Sequence, residues 1–322
     1  METSRRTSLL YIFGDIAWRI GVVALVMTVT LAIACFPRSS DAPLTPAEET
    51  DLRTFYATAY NKPVVQDNED TRYVKIAEAE ADRQEVRANV AQFVADYGLA
   101  NKKVLDIGAG RGYLQDVVAD FTALDISPSV RRFYHKPFVL ASATLMPFPD
   151  NEFDAAWTIW VLEHVPNPEA ALVEMRRVVK DGGYLYLAPA WDCRTWAAQG
   201  YPVRPYSDFG FAGKLNKASI PLRLYFGNLA KAPVRMIRRA EWKSSGGPTS
   251  LHYRRLTPNY DHYWMPDSDA VNSLDRYEIA LWFLSRGDEC LNCEGALDGW
   301  LQLNVPLILK VHKRAPVTEA AF

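Results

Sequence analysis

The run of residues 104–114, Val-Leu-Asp-Ile-Gly-Ala-Gly-Arg-Gly-Tyr-Leu, constrains the fold more than any other part of the chain. Its apolar and β-branched residues predict a buried strand that leads into a tight turn. Gly108, Gly110 and Gly112 suit such a turn because glycine adopts positive φ without strain. A helix is expected to begin near Tyr113. Turns of this kind bring backbone N–H groups close to a ligand, so this loop is a candidate binding site.

Two carboxylates indicate what the loop binds. Asp125 ends a second predicted strand, residues 121–125, and follows Asp106 by 19 positions. An acidic residue at the carboxyl end of this strand can accept both hydroxyls of a ribose. Asp106, just before the loop, suits a cation and repels a pyrophosphate. Gly112 also comes one residue too early for the dinucleotide fingerprint G-x-G-x-x-G/A. The pattern favours a nucleoside with a positive appendage, and S-adenosylmethionine fits.

At this point the chain resembles the class I S-adenosylmethionine-dependent methyltransferases, in particular the small-molecule branch called type 11. Beyond the glycine loop, residues 142–154 resemble the family's third strand, adenine-side loop and entry to strand four. Residues 160–168 resemble the segment after strand four, and residues 172–187 a helix, turn and strand five. The resemblance implies an α/β fold, a Rossmann-like seven-stranded methyltransferase sheet with helices on both faces. It also implies S-adenosylmethionine as cofactor.

The resemblance assigns roles at the donor site. Asp106 and the backbone of the first two glycines are expected to hold the methionine end, and Asp125 the ribose. A helix-capping role for Asp106 stays open, as does helix packing for Gly112. The predicted cofactor-binding residues are Asp106, Gly108, Ala109, Gly110, Gly112, Asp125, Ile126, Ser142 and Ala143.

The adenine side departs from the family pattern at one position. Ile126 is expected to pack on the adenine, and Ala143 to donate a backbone N–H to it. The family usually has an acidic residue at the position of Ser142, where it accepts from the adenine amino group. Serine is a neutral and weaker acceptor, so either cofactor affinity is lower or Ser142 is not the contact.

Methyl transfer requires the protein to align a nucleophile and, for an oxygen or nitrogen acceptor, sometimes to remove a proton. His164, His252 and His262 are candidate bases, and spacing assigns none of them. We take His164 as the candidate catalytic residue, with a purely structural role as its alternative. The sequence contains no metal-ligand cluster, so no metal is expected.

The N-terminal region is the second strong feature. Residues 20–36 carry no charge, and this length is at the short limit for crossing a bilayer. The run predicts a single-pass transmembrane helix, with residues 1–36 as an N-terminal membrane anchor. A cleavable signal peptide is the alternative, because Arg5-Arg6 and Ala32-Ile33-Ala34 resemble its charged region and cleavage site. The apolar run exceeds a typical signal core, which favours the anchor.

Orientation in the membrane follows from two arguments that disagree. The basic residues before the run place the following domain outside the cytoplasm by the positive-inside rule. S-adenosylmethionine is made in the cytosol, however, so a cytosol-facing catalytic domain is expected.

Composition divides the remaining chain. The segment 194–266 holds twelve Lys/Arg against three Asp/Glu, interleaved with aromatic side chains. This composition is typical of a cap that lies on an anionic membrane surface, and a solvated basic excursion is the alternative. Nucleic acid is not expected as a partner, because no recognisable module is present. The predicted domains are a linker at 37–72, a methyltransferase domain at 73–192 and 267–313, a basic aromatic cap insertion at 193–266, and a tail at 314–322.

Several local elements complete the predicted domain. Four cysteines are too few for a disulfide framework, and Cys290 and Cys293 are expected to be reduced thiols. Predicted elements are helices over 73–97 and 270–286, and a strand over 301–312 with an antiparallel partner at 290–294.

The sequence therefore predicts a membrane-anchored S-adenosylmethionine-dependent methyltransferase. Its expected acceptor is a small apolar or lipid-like molecule, and its expected membrane contacts are residues 9–36 and 214–243. Two alternatives stay open: a non-catalytic nucleoside-binding membrane protein, and a methyltransferase of protein or nucleic acid.

Overall fold

The structure, a computed structural model of the 322-residue chain, describes residues 2–35, 44–59, 75, 76, 79, 84–293 and 305–313. The chain divides into two compact units: residues 1–36 with 209–241, and residues 37–208 with 242–322. The predicted tail, most of the predicted linker and residues 294–304 lie outside the described residues. The helices are α1 Glu2–Cys35, α2 Pro46–Ala59, α3 Gln84–Asp96, α4 Pro168–Val178, α5 Phe211–Ser245 and α6 Arg276–Leu284.

The second unit is built on a seven-stranded mixed sheet, as the resemblance implies. Its strands are β1 Lys103–Ile107, β2 Asp120–Asp125, β3 Phe138–Leu140, β4 Phe153–Ile159, β5 Val179–Ala188, β8 Glu289–Cys290 and β9 Leu307–Lys310. The order is β3-β2-β1-β4-β5-β9-β8. The first five strands are parallel, whereas β9 is antiparallel to β5 and β8 is antiparallel to β9. A separate two-stranded sheet pairs β6 Arg254–Arg255 with β7 Asn272–Ser273.

The apolar core forms on both faces of this sheet. Successive side chains of a strand point to opposite faces, and β1 shows the alternation. Val104 packs with Phe93 of α3 in one cluster. Leu105 packs with Leu172 of α4 and Ile279 of α6 in the other. Helices therefore cover both faces, and the carboxyl ends of β1, β2 and β4 are left for a site.

Five local predictions are wrong. The turn expected before strand five is not a separate element, because α4 ends at Val178 and β5 begins at Val179. No helix follows the glycine loop: residues 113–119 form turns, closed by bonds such as Gln115 N–H to Gly112 O at 3.1 Å. The third strand ends at Leu140, before the segment expected to contain it. The last helix begins at residue 276, not 270, because the Asp275 side chain accepts the N–H groups of Tyr277 and Glu278 and caps it there. Cys290 and Cys293 are joined in a disulfide, with a Cα–Cα distance of 5.6 Å that the bond requires.

Part of the predicted linker is helical. α2 begins with a capping box in which the Thr45 hydroxyl accepts the Glu48 N–H at 3.3 Å, and Glu48 accepts the Thr45 N–H at 2.8 Å. Pro46 follows the cap, where its missing N–H costs nothing. Leu52 and Tyr56 on this helix are buried against Val271, which belongs to the same unit. The sequence does carry this signal, although Pro46 also suits a turn.

The first unit consists of α1 and most of α5. Large apolar side chains of α1, among them Trp18, Val23 and Leu25, are exposed. Among the residues whose side chains the structure describes, no helix is long and apolar enough to span a bilayer. Within the predicted span of residues 20–36, position 28 and positions 31–36 lie outside that set of residues.

Candidate active site

A cavity opens at the carboxyl ends of β1, β2 and β4, where open α/β sheets bind their ligands. Of the residues predicted for the site, Asp106, Ala109 and Gly112 do not line this cavity. Trp160 and two residues of α2, Leu52 and Tyr56, line it without having been predicted. The predicted residues on its wall are Gly108, Gly110, Asp125, Ile126, Ser142, Ala143 and His164.

The glycine loop has the backbone that its sequence suggests. Gly108, Gly110 and Gly112 have φ values of +73°, +51° and +74°. A Cβ on Gly108 would overlap both methyl groups of Val161, which follows β4. The N–H of Gly108 donates to the carbonyl of Leu124 at 2.7 Å, so the loop is pulled against the end of β2. Glycine is required at this position both by conformation and by close approach.

Asp125 joins the loops after β1 and β2. Its Oδ2 accepts the Gly110 N–H and its Oδ1 accepts the Ser127 N–H, each at 2.8 Å. Burial raises the pKa of Asp125, and these backbone bonds oppose the rise. Each carboxylate oxygen keeps a further lone pair, so the side chain can also accept from a ligand in the cavity that it lines.

Asp106 acts on the cavity from a buried position. Its side chain is buried, and burial together with the neighbouring charge of Asp125 raises the pKa of Asp106 to about 7. The Coulombic coupling to Asp125 means that the Asp106 charge is felt at the cavity wall. A cation in the cavity would favour the ionised form of both residues.

The adenine side of the predicted site is formed by neutral groups. The Ser142 hydroxyl lies 2.9 Å from the Thr144 hydroxyl and accepts the Thr144 N–H at 3.2 Å. Ser142 is therefore engaged within its own turn; when it donates to Thr144, one lone pair is left for an adenine amino group. Ala143 and Ile126 supply an apolar wall beside it.

His164 reaches the cavity from a short 3₁₀ turn after β4 and is surrounded by carboxylates. Its Nδ1 is 3.5 Å from Asp269 Oδ2, and its Nε2 is 3.8 Å from Glu163 Oε1. Burial lowers the pKa of His164, but Asp269, Glu163 and Asp267 raise it by more. The other two candidate bases, His252 and His262, are not on the cavity wall.

Two features of this region were not predicted. Burial raises the pKa of Glu163 to about 7; its Oε1 accepts the Ala190 N–H at 3.0 Å, and its Oε2 has no hydrogen-bond partner within the described residues. Trp160 has φ +53°, a left-handed conformation that is rare for a bulky residue and is concentrated at functional sites. Neither a buried oxygen nor a positive φ at tryptophan has a sequence signal.

The comparisons with known proteins agree with this geometry. Residues 105–187 match the family described as "Methyltransferase domain". The demethylmenaquinone methyltransferase of Paenarthrobacter aurescens is 31% identical over 176 residues, which cover 48% of this chain and 66% of the relative. That of Renibacterium salmoninarum is 40% identical over 168 residues, covering 48% and 70%. The fatty-acid O-methyltransferase of Mycolicibacterium smegmatis is 27% identical over 193 residues, covering 53% and 69%. The chain thus spans about two thirds of the length of these relatives.

The first prediction concerns Gly108. Gly108→Ala is expected to reduce affinity for S-adenosylmethionine at least tenfold and to lower the free energy of unfolding. Positive φ costs alanine about 1–2 kcal/mol, and overlap with Val161 adds about 1–3 kcal/mol. Gly182→Ala is the matched control, because Gly182 has φ +77° and nothing lies within 4 Å of its added Cβ. Urea denaturation measures the free energy of unfolding, and calorimetry measures the affinity. If both variants lost the same unfolding free energy, the close approach of Gly108 to Val161 would be unimportant.

The second prediction concerns pH. The affinity for S-adenosylmethionine should rise with pH and level off above about pH 7, because Asp106 is neutral below its pKa of about 7. The expected slope is at most about tenfold per pH unit. Asp106→Asn should bind more weakly at pH 8 and lose this part of the slope. Calorimetry between about pH 5.5 and 8 tests it, and an unchanged slope in the variant would contradict the role of Asp106.

Proposed function

Since this chain belongs to the class I S-adenosylmethionine-dependent methyltransferases, we propose that it methylates a neutral hydroxyl on a small apolar or lipid-like acceptor while attached to a membrane. The methyl donor of the family is S-adenosylmethionine. The observation that carries the proposal is the position of His164 on the cavity wall, beside the residues predicted to bind the nucleoside.

The residues of the cavity fit the donor. Asp125 has free lone pairs for ribose hydroxyls, and Gly108 and Gly110 bring bare backbone to the cavity wall. Asp106 adds negative charge that suits a sulfonium and an ammonium. When bound, S-adenosylmethionine supplies a methyl carbon whose bond to sulfur breaks, with its electron pair left on sulfur, as the nucleophile attacks.

The charges around His164 discriminate between acceptor groups. The carboxylates of Glu163, Asp267 and Asp269, which raise the pKa of His164 against the effect of burial, would repel a carboxylate acceptor. They would also hold an amine in its protonated form, and an ammonium has no lone pair with which to attack. A hydroxyl oxygen keeps its lone pairs while protonated and can pass its proton to His164 as it gains the methyl group. A neutral hydroxyl meets both requirements.

The walls of the cavity and the relatives support an apolar acceptor. Leu52, Ile126, Trp160 and Val165 line the cavity with apolar surface. The relatives named above are, by their names, methyltransferases of demethylmenaquinone and of fatty acids, which are apolar molecules. Apolar walls with few polar groups are typical of pockets for such ligands.

Support for membrane attachment comes from the first unit taken by itself. Phe13, Trp18, Val23 and Leu25 on α1 are all more than half exposed. α5 carries eight Lys/Arg against one Glu; Lys231, Arg235 and Arg238 are buried, whereas the apolar residues Phe211, Leu215 and Ile237 are exposed. Exposed apolar side chains beside positive charge suit an anionic membrane surface. The catalytic domain is proposed to face the cytosol, where S-adenosylmethionine is made.

The third prediction tests the reaction. Full-length protein is incubated with methyl-labelled S-adenosylmethionine and separated fractions of neutral lipid, free fatty acid, protein and RNA. Label is expected in neutral lipid, because its hydroxyls bring no charge to His164. Asp125→Ala should abolish transfer, and Asp120→Asn, which changes an exposed acid at the other end of β2, should retain it. Label confined to protein or RNA, or tight binding without any transfer, would overturn the proposal.

The fourth prediction tests attachment. The wild-type protein should remain in the membrane pellet after alkaline carbonate extraction. Val23→Asp with Val26→Asp should release it, because each charge in the centre of an apolar helix costs about 2.5–3.5 kcal/mol on insertion. Thr50→Asp with Thr54→Asp, on exposed positions of α2, is the control for two added charges. Wild-type protein found in the supernatant without detergent would contradict attachment.

A further inference from the structure

Three distant parts of the chain meet behind His164. The Tyr56 hydroxyl, on α2, donates to Asp269 Oδ2 at 2.7 Å. The same Oδ2 is 3.5 Å from His164 Nδ1. The Tyr56 ring also packs edge-on against the imidazole, with 5.9 Å between ring centroids. Both Tyr56 and Asp269 lie outside residues 105–187, which match the family.

Asp269 is held by burial and by the hydrogen bond from Tyr56. Its side chain is 0% exposed, and its Oδ1 has no hydrogen-bond partner in the described part of the chain. A carboxylate removed from water is costly unless a cation or hydrogen-bond donors compensate it. Tyr56 compensates Oδ2 in part, and the imidazolium form of His164 is the cation beside it. The 3.5 Å separation is that of an ion pair; such catalytic contacts shorten when substrate is bound.

Asp269 is better suited than Glu163 to orient the imidazole. Glu163 Oε1, which accepts the Ala190 N–H, lies 3.8 Å from Nε2 of His164, farther than Asp269 Oδ2 lies from Nδ1. Burial raises the pKa of Glu163 to about 7, so it is only partly ionised at neutral pH. Asp267 is the third carboxylate whose charge reaches His164. Tyr263 forms a hydrogen bond with the Asp269 side chain, and Tyr260 and Cys193 are further titratable groups that interact with it.

The contact with Asp269 also separates the two ring nitrogens by role. Nδ1 of His164 is buried and faces the carboxylate. A proton on Nδ1 is stabilised by that carboxylate, which leaves the lone pair of the neutral ring on Nε2.

We propose that Asp269 is the positioning residue of His164, that Tyr56 holds Asp269 in place, and that this arrangement directs Nε2 to take the proton of the acceptor hydroxyl. The inference rests on the proposed function and specifies its base. As the acceptor oxygen forms its bond to the methyl carbon, the carbon–sulfur bond breaks, the sulfonium becomes a neutral sulfide, and the hydroxyl proton moves to Nε2. The resulting imidazolium is stabilised by the Asp269 carboxylate. No oxidant, metal or further reactant is needed.

The fifth prediction is a titration that needs no acceptor. Full-length protein in detergent is labelled with ¹³C at histidine Cε1, and the signal of His164 is assigned by its loss in His164→Gln among the five histidines of the chain. Asp269→Asn should lower the pKa of His164 by about one pH unit or more, because it removes the opposite charge that lies 3.5 Å from Nδ1. Asp261→Asn removes an exposed acid of the same 254–275 stretch and should leave the titration unchanged. An unchanged titration in Asp269→Asn would overturn the inference.

Kinetics distinguish positioning from a structural role. In the label-transfer assay Asp269→Asn should lower kcat about 100-fold with KM for S-adenosylmethionine within about twofold. The acidic limb of its kcat/KM profile should move to lower pH, because the base is neutral above a lower pKa. Tyr56→Phe keeps the ring and should lower kcat about three- to tenfold, the worth of one hydrogen bond. Added to Asp269→Asn it should cost nothing more.

The outcomes distinguish failure of the proposed methyltransferase function from failure of the positioning role of Asp269. Wild-type protein that binds no S-adenosylmethionine or transfers no label refutes the proposed function, whereas the His164 titration is read without either. An active wild type whose pH profile is the same in Asp269→Asn refutes the inference alone. If Asp269→Asn does not fold, Tyr56→Phe decides: an unchanged kcat overturns the inference.

Discussion

The buried carboxylate of Asp125 is the interaction on which the cavity depends. One side chain accepts a backbone N–H from the loop after β1 and another from the loop after β2, each at 2.8 Å. Hydrogen bonds to an ionised acceptor are stronger than neutral ones, so the two loops are fixed together. The loop needs glycine at Gly108, where a Cβ would overlap Val161, and it has positive φ at Gly110. Asp125 at the end of β2 and the glycines after β1 therefore depend on each other.

The same region concentrates negative charge that the fold does not neutralise. Burial raises the pKa of Asp106 and of Glu163 to about 7, and raises that of Asp125. A raised folded-state pKa means that the folded protein holds these protons more tightly than the unfolded chain. The stabilising contribution is therefore complete below about pH 4 and is lost as pH rises towards 7. Such unfavourable burial is characteristic of functional sites, and a cationic donor in the cavity would offset it.

The local parts of the fold could be predicted from the sequence. The strand before the glycines and the strand that ends at Asp125 occur where the apolar runs place them, whereas β5 begins at Val179, before the turn that was expected to precede it. The errors arose where one residue type serves two structures. Residues 37–72 are predicted as a linker, but Pro46 can also begin a helix, and the capping pair Thr45 and Glu48 is the evidence for one. The helix expected after the glycine loop is absent, and residues 113–119 form turns instead.

The sequence by itself determined the strands β1 and β2, the glycine loop between them and the acid at the end of β2, because each depends on residues within a few positions of one another. Only the tertiary structure decided what stands behind His164. The hydrogen bond between Tyr56 and Asp269 joins residues 213 positions apart, and it forms because α2 packs beside the loop after β2, where Ser127 donates its hydroxyl to the Tyr56 carbonyl at 2.8 Å. No local pattern encodes such a contact, since its energy depends on the burial that the whole second unit creates.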